Sequence, residues 1–132
     1  MRQIVTAATL IALLPLGAQA FTAKNRLTVA PVTSAVFEVV GQPGSGAAQF
    51  WCAAGEYALN QGARSNARIY VESGRQGSVT EPGKTAVRFT LSPDAAGVTP
   101  ISPQLTLSTE AVGDNLSVAS AREYCQPSIS RF

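Results

Sequence analysis

The sequence predicts an α+β fold: an antiparallel sheet of about five strands with one long helix on one face, and a short C-terminal helix joined to the long helix by one disulfide. Three observations lead to this prediction. Several short segments alternate polar and apolar residues, one longer segment has the period of a helix, and the chain contains two cysteines that lie far apart.

The strand prediction depends on period-two alternation bounded by turn residues. Clean alternation is typical of an antiparallel sheet with one solvated face. The alternating segments are 26–30, 35–40, 67–72, 86–91 and, more weakly, 104–108. The connection from 73 to 85 is rich in Gly, Ser and Pro. Connections of that length are either functional or merely mobile, and the sequence does not separate the two.

The helix prediction covers about residues 46–61, with Ser45 as the expected N-cap and Gly62 as the stop. One arc of its helical wheel carries most of the large apolar residues, so this arc is interpreted as the core face. The arc contains Ala47, Phe50, Trp51, Ala54 and Ala58.

A glycine at position 55 lies on the same flank of this helix as Cys52. Glycine inside a helix costs about 1 kcal/mol relative to alanine. We therefore expect Gly55 to permit close approach of the segment that carries Cys125.

The segment 117–125 allows two interpretations. Ser117 is able to cap a short helix over 118–125, whereas residues 116–119 also fit a strand. The helix is favoured because Arg122-Glu123-Tyr124 fits poorly at the end of a strand.

The first twenty residues have the three-part pattern of a secretory signal peptide. Arg2 is followed by an uncharged, mostly apolar stretch, and then by Ala18-Gln19-Ala20. The small residues Ala18 and Ala20 match the A-x-A cleavage pattern, which predicts a mature chain that begins at Phe21. A retained N-terminal anchor helix is the less favoured alternative.

Cleavage would leave residues 21–132, a suitable length for a single domain. The apolar stretch is shorter than the roughly 20 residues of a membrane span, so no span is expected in the mature chain. In an exported chain Cys52 and Cys125 are expected to pair. Closing so long a loop stabilises a fold by about 4 kcal/mol in the chain-entropy model. The alternative is that the two cysteines are reactive thiols or metal ligands, but neither has a neighbouring histidine.

The chemistry that the sequence excludes follows mainly from its having no histidine. Ser–His and Cys–His nucleophiles and the usual zinc sites are therefore not expected. No P-loop or dinucleotide-binding glycine pattern occurs, so we predict no catalytic residue, metal or cofactor. The formal net charge is only +2 and the basic residues are dispersed, which argues against a nucleic-acid partner.

The acidic residues leave one enzymatic alternative open. Two carboxylates suffice for glycoside hydrolysis, so a small glycan or cell-wall hydrolase is the second functional hypothesis. The eight Asp and Glu residues are scattered along the chain, however, and each is interpreted as a solvated surface charge.

A candidate binding face follows from the predicted pairing of segments 67–72 and 86–91. Their solvated side would present Arg68, Tyr70 and Arg88. Arg and Tyr are enriched at recognition hot spots. The plain alternative is that polar residues simply cover an exposed sheet face.

The sequence resembles a group of short exported proteins from Gram-negative bacteria. The resemblance covers most of the chain after position 20 and is carried by five pieces: 37–39, 51–58, 68–71, 86–91, and 116–118 together with 124–125. It implies a periplasmic or secreted setting and no catalytic residue. Together these observations predict a non-enzymatic binding or accessory module whose partner is an envelope protein or a small ligand.

Overall fold

The computed structural model describes residues 20–126. Within this range six strands form one antiparallel sheet, and the fold class predicted from the sequence is confirmed. The strands are β1 Phe21–Thr22, β2 Thr28–Pro31, β3 Val36–Val40, β4 Arg68–Gly77, β5 Thr85–Thr90 and β6 Asn115–Ser117. The helices are α1 Ala47–Asn60, α2 Pro93–Ala96 and α3 Val118–Glu123. Residues 1–19 of the predicted signal peptide lie outside the described residues, as do the last six residues of the predicted domain.

The sheet has the spatial order β1-β2-β3-β5-β4-β6, so β3 and β5 lie at its centre. Cross-strand neighbours on the face toward α1 are apolar: Phe37 lies opposite Phe89, and Val39 lies opposite Val87. The Trp51 ring of α1 is 4.9 Å from the Phe89 ring, measured between centroids. The aromatic core therefore lies between α1 and the two central strands, as the helical arc predicts. The opposite side of the sheet is called the outer face below.

The N-terminus of α1 corrects one prediction. Gly46 is the N-cap, and its backbone N–H donates to the Gln49 side-chain carbonyl at 2.8 Å. The Ser45 hydroxyl instead accepts from the Gln42 N–H at 3.0 Å and closes the preceding turn. The predicted Ser45 cap is therefore wrong, because the Ser45 hydroxyl bonds within the turn before the helix and not to a backbone N–H of α1. Gly62, with a φ of 88°, follows the end of α1 as predicted.

The strand predicted at 104–108 is also wrong. This stretch pairs with no strand, and the neighbour of β4 at the edge of the sheet is β6. Its alternation does not separate a buried face from an exposed one, because Leu105 is fully exposed whereas Leu107 packs against the core. The Ser108 carbonyl accepts a 2.9 Å hydrogen bond from the Trp51 indole.

The C-terminal segment contains both of the structures that the sequence allowed. A three-residue strand, β6, leads directly into α3. The Ser117 hydroxyl accepts from the Ser120 N–H at 3.1 Å, so the predicted cap is confirmed. The helix ends at Glu123, two residues before Cys125.

Helix α3 packs against α1 at Gly55, as expected. A Cβ at this position would lie only 3.0 Å from the Ala121 Cβ and from the Arg122 backbone nitrogen. The predicted disulfide between Cys52 and Cys125 is present, with its two Cα atoms 4.9 Å apart. No helix in the described range is long and apolar enough to cross a membrane.

Candidate functional site

A cleft of about 920 Å³ opens where three separate segments of the chain meet. This volume falls within the range of roughly 300–1,000 Å³ typical of small-molecule sites. The segments are the glycine-rich turn together with the first turn of α1, the distal part of β4, and the residues that lead into β5. Its lining consists of residues 41–46, Phe50, Arg75, Gly83, Lys84 and Thr85.

The glycine-rich turn gives the cleft a wall made mainly of backbone. A Cβ at Gly41 would lie 2.7 Å from the Phe50 Cζ, so only glycine fits there without displacing the ring. The Gly41 N–H donates to the Thr85 carbonyl at 2.8 Å and ties the turn to the start of β5. Gly44 has a φ of 86°, a conformation that glycine adopts without steric cost.

The charged lining of the cleft is cationic, since Arg75 and Lys84 contribute to it and no acidic side chain of the described chain does. The Arg75 guanidinium lies 5.1 Å from the Phe50 ring centroid, in a cation–π arrangement. Each cation has one acidic neighbour outside the lining. Arg75 Nε is 3.6 Å from Glu110 Oε1, and Lys84 Nζ is 3.1 Å from Glu81 Oε1. Exposed pairs of this kind are worth about 0–1 kcal/mol, so both cations remain available to a ligand.

A buried carboxylate, Glu38, anchors the loop that carries Lys84. Glu38 lies on the outer face and is fully buried, so its interpretation as a solvated surface charge is wrong. Loop 78–84 folds back over it and supplies four donors. The hydroxyls of Ser78 and Thr80 donate at 2.6 and 2.5 Å, and the backbone N–H groups of Val79 and Thr80 donate at 3.3 and 2.9 Å.

Burial by itself would raise the pKa of Glu38. The hydrogen bonds from Ser78, Thr80 and Val79 outweigh burial, and the pKa of Glu38 is lowered from its ordinary value of 4.5. The carboxylate is therefore kept charged, because its four donors stabilise the ionised form.

Loop 78–84 connects this anchor to the cleft. The Ser78 N–H donates to the Lys84 carbonyl at 2.8 Å, so the two ends of the loop are closed on each other. Glu38 holds one end of the loop, and Gly83 and Lys84 at the other end form part of the cleft wall. The rim of the cleft is thus positioned by a carboxylate that does not line it.

Asp114 is a second acidic residue that the surface-charge interpretation places wrongly. It is 5 % exposed, and its Oδ1 accepts from the backbone N–H groups of Gln104 and Asn115 at 3.2 and 2.8 Å. Its role is to fix the chain that leads into β6.

The predicted binding residues Arg68, Tyr70 and Arg88 do share the outer face. Arg68 is exposed and donates through Nε to the Asn115 side chain at 2.8 Å. Tyr70 is half-buried. Arg88 lies opposite Glu38 across the strand pair, and its Nε is enclosed without a hydrogen-bond partner among residues 20–126. None of the three lines the cleft, and their role in binding stays a prediction.

One group of potential metal ligands surrounds the disulfide. The donor atoms of Cys52, Glu56 and Cys125 all lie within 4.8 Å of one another. Both sulfurs are bonded to each other, however, so neither is a thiolate ligand. A single carboxylate then remains, and the arrangement does not fit a metal ion.

Two carboxylates, Glu56 and Glu123, line a small cavity beside the disulfide. Its volume is about 220 Å³, and Lys24 and Arg122 share its lining. Glu56 Oε2 already accepts from the Lys24 backbone N–H at 3.0 Å. Because the cavity is below the usual size range for a ligand site, it gives no support to a glycan hydrolase.

Sequence reasoning noted the long connection from 73 to 85, but β4 continues through residues 73–77 and Thr85 already belongs to β5, so only 78–84 is loop. It missed the cleft that this region forms with the turn at 42–46. Arg75 and Lys84 look like ordinary dispersed cations in the sequence. Both reach the cleft through the β4–β5 pairing, which has two irregularities of register, between Val71 and Ser73 and between Ser73 and Gln76. A glycine-rich turn followed by a helix was the one sequence feature that could have indicated this place.

The chain was compared with protein-family models, with curated proteins and with solved structures, and none of them matches it.

Proposed function

We propose that this protein is an exported, non-enzymatic binding module and that the cleft beside the N-terminus of α1 is its ligand site. One observation carries the proposal: a cleft of about 920 Å³ has a wall made mainly of backbone and two cations in its lining. A concave site with a few convergent polar groups is the usual form of a small-molecule site.

Export to the periplasm or beyond the cell is supported by two independent features. The first is the signal-peptide pattern that ends at Ala18-Gln19-Ala20. The second is the disulfide, which is a bond typical of oxidising compartments. The resemblance to short exported Gram-negative proteins agrees with this setting.

A small ligand is favoured over an envelope protein as the partner. An envelope protein would use the outer face around Arg68, Tyr70 and Arg88, but Arg88 is partly covered there. The cleft, by contrast, is open and concave. The alternative of a glycan hydrolase has no observation in its favour within residues 20–126, because the cavity with two carboxylates is too small.

The experiment that tests the proposal is a ligand-observed NMR screen of the mature protein against a library of small metabolites, repeated on a variant with the cleft filled. Thr85 is an exposed strand residue in the cleft lining, and Thr85→Trp places a large ring there. Thr22→Trp is the matched control, since Thr22 is also an exposed strand residue but lies on β1, at the edge of the sheet.

We expect T85W to lose the ligands that the wild-type protein binds and T22W to retain them. If the ligands bind equally well to T85W, the cleft is not the site. If the library gives no ligand at all for the folded, oxidised protein, the small-ligand form of the proposal fails.

A further inference from the structure

We infer that the ligand of the cleft is a small organic anion whose acidic group lies between Arg75 and Lys84. This inference rests on the proposed function, because it names the chemical class of ligand for the same cleft. It depends on the charge, the position and the size of the groups that form the lining.

The charge of the lining comes from two cations that are nine residues apart in the sequence. Arg75 belongs to β4, and Lys84 lies at the end of the loop before β5. Both cations line the same cleft, and Gly77, two residues after Arg75, pairs with Thr85, the residue after Lys84. An acidic group bound between them would make charge-assisted hydrogen bonds to both, which are roughly twice as strong as neutral ones. A neutral ligand would not gain these bonds.

Arg75 is held in position by its neighbours. Its guanidinium lies over the Phe50 ring, and Phe50 is itself 1 % exposed. Glu110 packs against Gly74, where a Cβ would collide with its carboxylate. The acid therefore lies behind Arg75 rather than in the cleft, and the open side of the guanidinium is left for a ligand.

Lys84 is held less directly, through its loop. Its backbone N–H donates to the Glu81 carbonyl at 3.2 Å, and its own carbonyl accepts from Ser78. Ser78 in turn donates to the buried Glu38 carboxylate. The backbone at Lys84 is thus fixed, so that a ligand need only orient the side chain.

The size of the cleft indicates an organic anion rather than a simple inorganic one. About 920 Å³ is far more than one phosphate or sulfate group requires. The remainder of the lining carries no further charge and consists of four glycines, the polar residues Gln42, Ser45 and Thr85, and Pro43 and Phe50. A larger organic body attached to the acidic group would fill this space.

The test uses two fluorescent probes that differ mainly in charge. The anion is 8-anilinonaphthalene-1-sulfonate, and the neutral probe is N-phenyl-1-naphthylamine. Both are titrated into the mature, oxidised protein, with inorganic phosphate as a competitor. The variants are Arg75→Gln with Lys84→Gln, and the charge-reversed pair R75E and K84E. The matched control is Arg64→Gln, an exposed cation in the turn between α1 and β4.

We expect the anionic probe to bind the wild-type protein at least about tenfold more tightly than the neutral probe. The double Gln variant should reduce that preference by about the same factor, while R64Q leaves it unchanged. If R75E and K84E together impair folding, as judged by thermal melting, the double Gln variant gives the result by itself. High concentrations of phosphate should weaken binding of the anion.

Two outcomes separate the inference from the proposed function. If T85W blocks both probes but the wild-type protein binds them equally, the cleft is a site and the anion inference is wrong. If T85W blocks neither probe, the proposed function fails together with the inference. Retention of anion preference in the double Gln variant overturns the inference as well.

Discussion

At the scale of single residues, the most consequential side chain is Glu38. A carboxylate on a central strand would be costly to bury if it lacked donors. Here Ser78 and Thr80 deliver them from a loop that would otherwise have little to hold it to the sheet. One charge thus determines where a whole loop lies, although it makes no direct contact with the cleft.

Replacement of Glu38 by Gln should lower the free energy of unfolding at pH 7, because an amide nitrogen cannot accept the bonds that the carboxylate accepts. As the pH is lowered, the free energy of unfolding of the variant should also fall less than that of the wild type. The folded-state pKa lies below 4.5, so the stabilisation by Glu38 is full above about pH 4.5 and is lost as pH falls through the folded-state value.

Urea unfolding between pH 7 and pH 3 measures both effects of E38Q. The exposed residue Glu123 gives the matched control, and E123Q should follow the wild-type curve. An E38Q protein that loses as much stability between pH 5 and 3 as the wild type would show that Glu38 does not link acid to stability.

Gly55 offers a second test at this scale. Ala normally stabilises a helix by about 1 kcal/mol relative to Gly. At position 55 the added Cβ would lie 3.0 Å from the Arg122 backbone nitrogen, so we expect G55A to be less stable than the wild type. Ala48→Gly, on the same helix, should cost the ordinary helix-propensity penalty. If chemical denaturation shows G55A to be more stable than the wild type, α3 moves away from the added Cβ without a cost in stability.

At the scale of elements, the six-residue helix α3 is too short to be stable on its own. It is retained by its serine cap, by the close contact at Gly55 and by the bond between Cys52 and Cys125. The disulfide therefore holds α3 in place in the folded protein, and it also restricts the unfolded chain.

Replacement of both cysteines by alanine should lower the free energy of unfolding by about 4 kcal/mol, because the bond spans 73 residues and restricts the unfolded chain. Hydrogen exchange should show the loss first in α3. Denaturant unfolding with and without reductant provides the check: reductant should destabilise the wild type and leave the double variant unaffected. Equal stability of the oxidised wild type and the double alanine variant would contradict a stabilising role for the disulfide.

The elements that were predictable from sequence are those whose pattern is local. Strands β2 to β5 and helix α1 are long enough to show a period. Strands β1 and β6 have two and three residues, which is too short for any alternation to be recognised. The stretch 104–108 shows the opposite error, because it alternates polar and apolar residues in the sequence but forms no strand in the structure.

The candidate site was harder to predict for a different reason. Its two cations reach the cleft through the pairing of β4 with β5, whose register shifts twice. Nothing in the composition around Arg75 or Lys84 marks those shifts. Glu38 was misplaced for a related reason: its strand alternates correctly, but the loop that covers the outer face returns from 40 residues further along the chain.

At the scale of the whole molecule, the prediction that matters most is export with cleavage after Ala20. Ala18→Leu should block cleavage, because the enzyme requires a small residue at this position. Gln19→Leu is the matched control, since the middle position of A-x-A is free. Mass spectrometry of the exported protein should give a chain that starts at Phe21 for the wild type and Q19L. Equal processing of A18L would mean that the site has been misassigned.

The position of β1 has a consequence for the order of events during biogenesis. Its first residue, Phe21, pairs with Val29, and its ring lies 5.8 Å from the Tyr57 ring. A peptidase that cuts the bond between Ala20 and Phe21 must hold both sides of that bond extended in its own active site. Phe21 cannot lie in the peptidase and in the sheet at the same time. If the chain is cut there, the cut has to come before this edge of the sheet closes, and a molecule that folds too early keeps its leader.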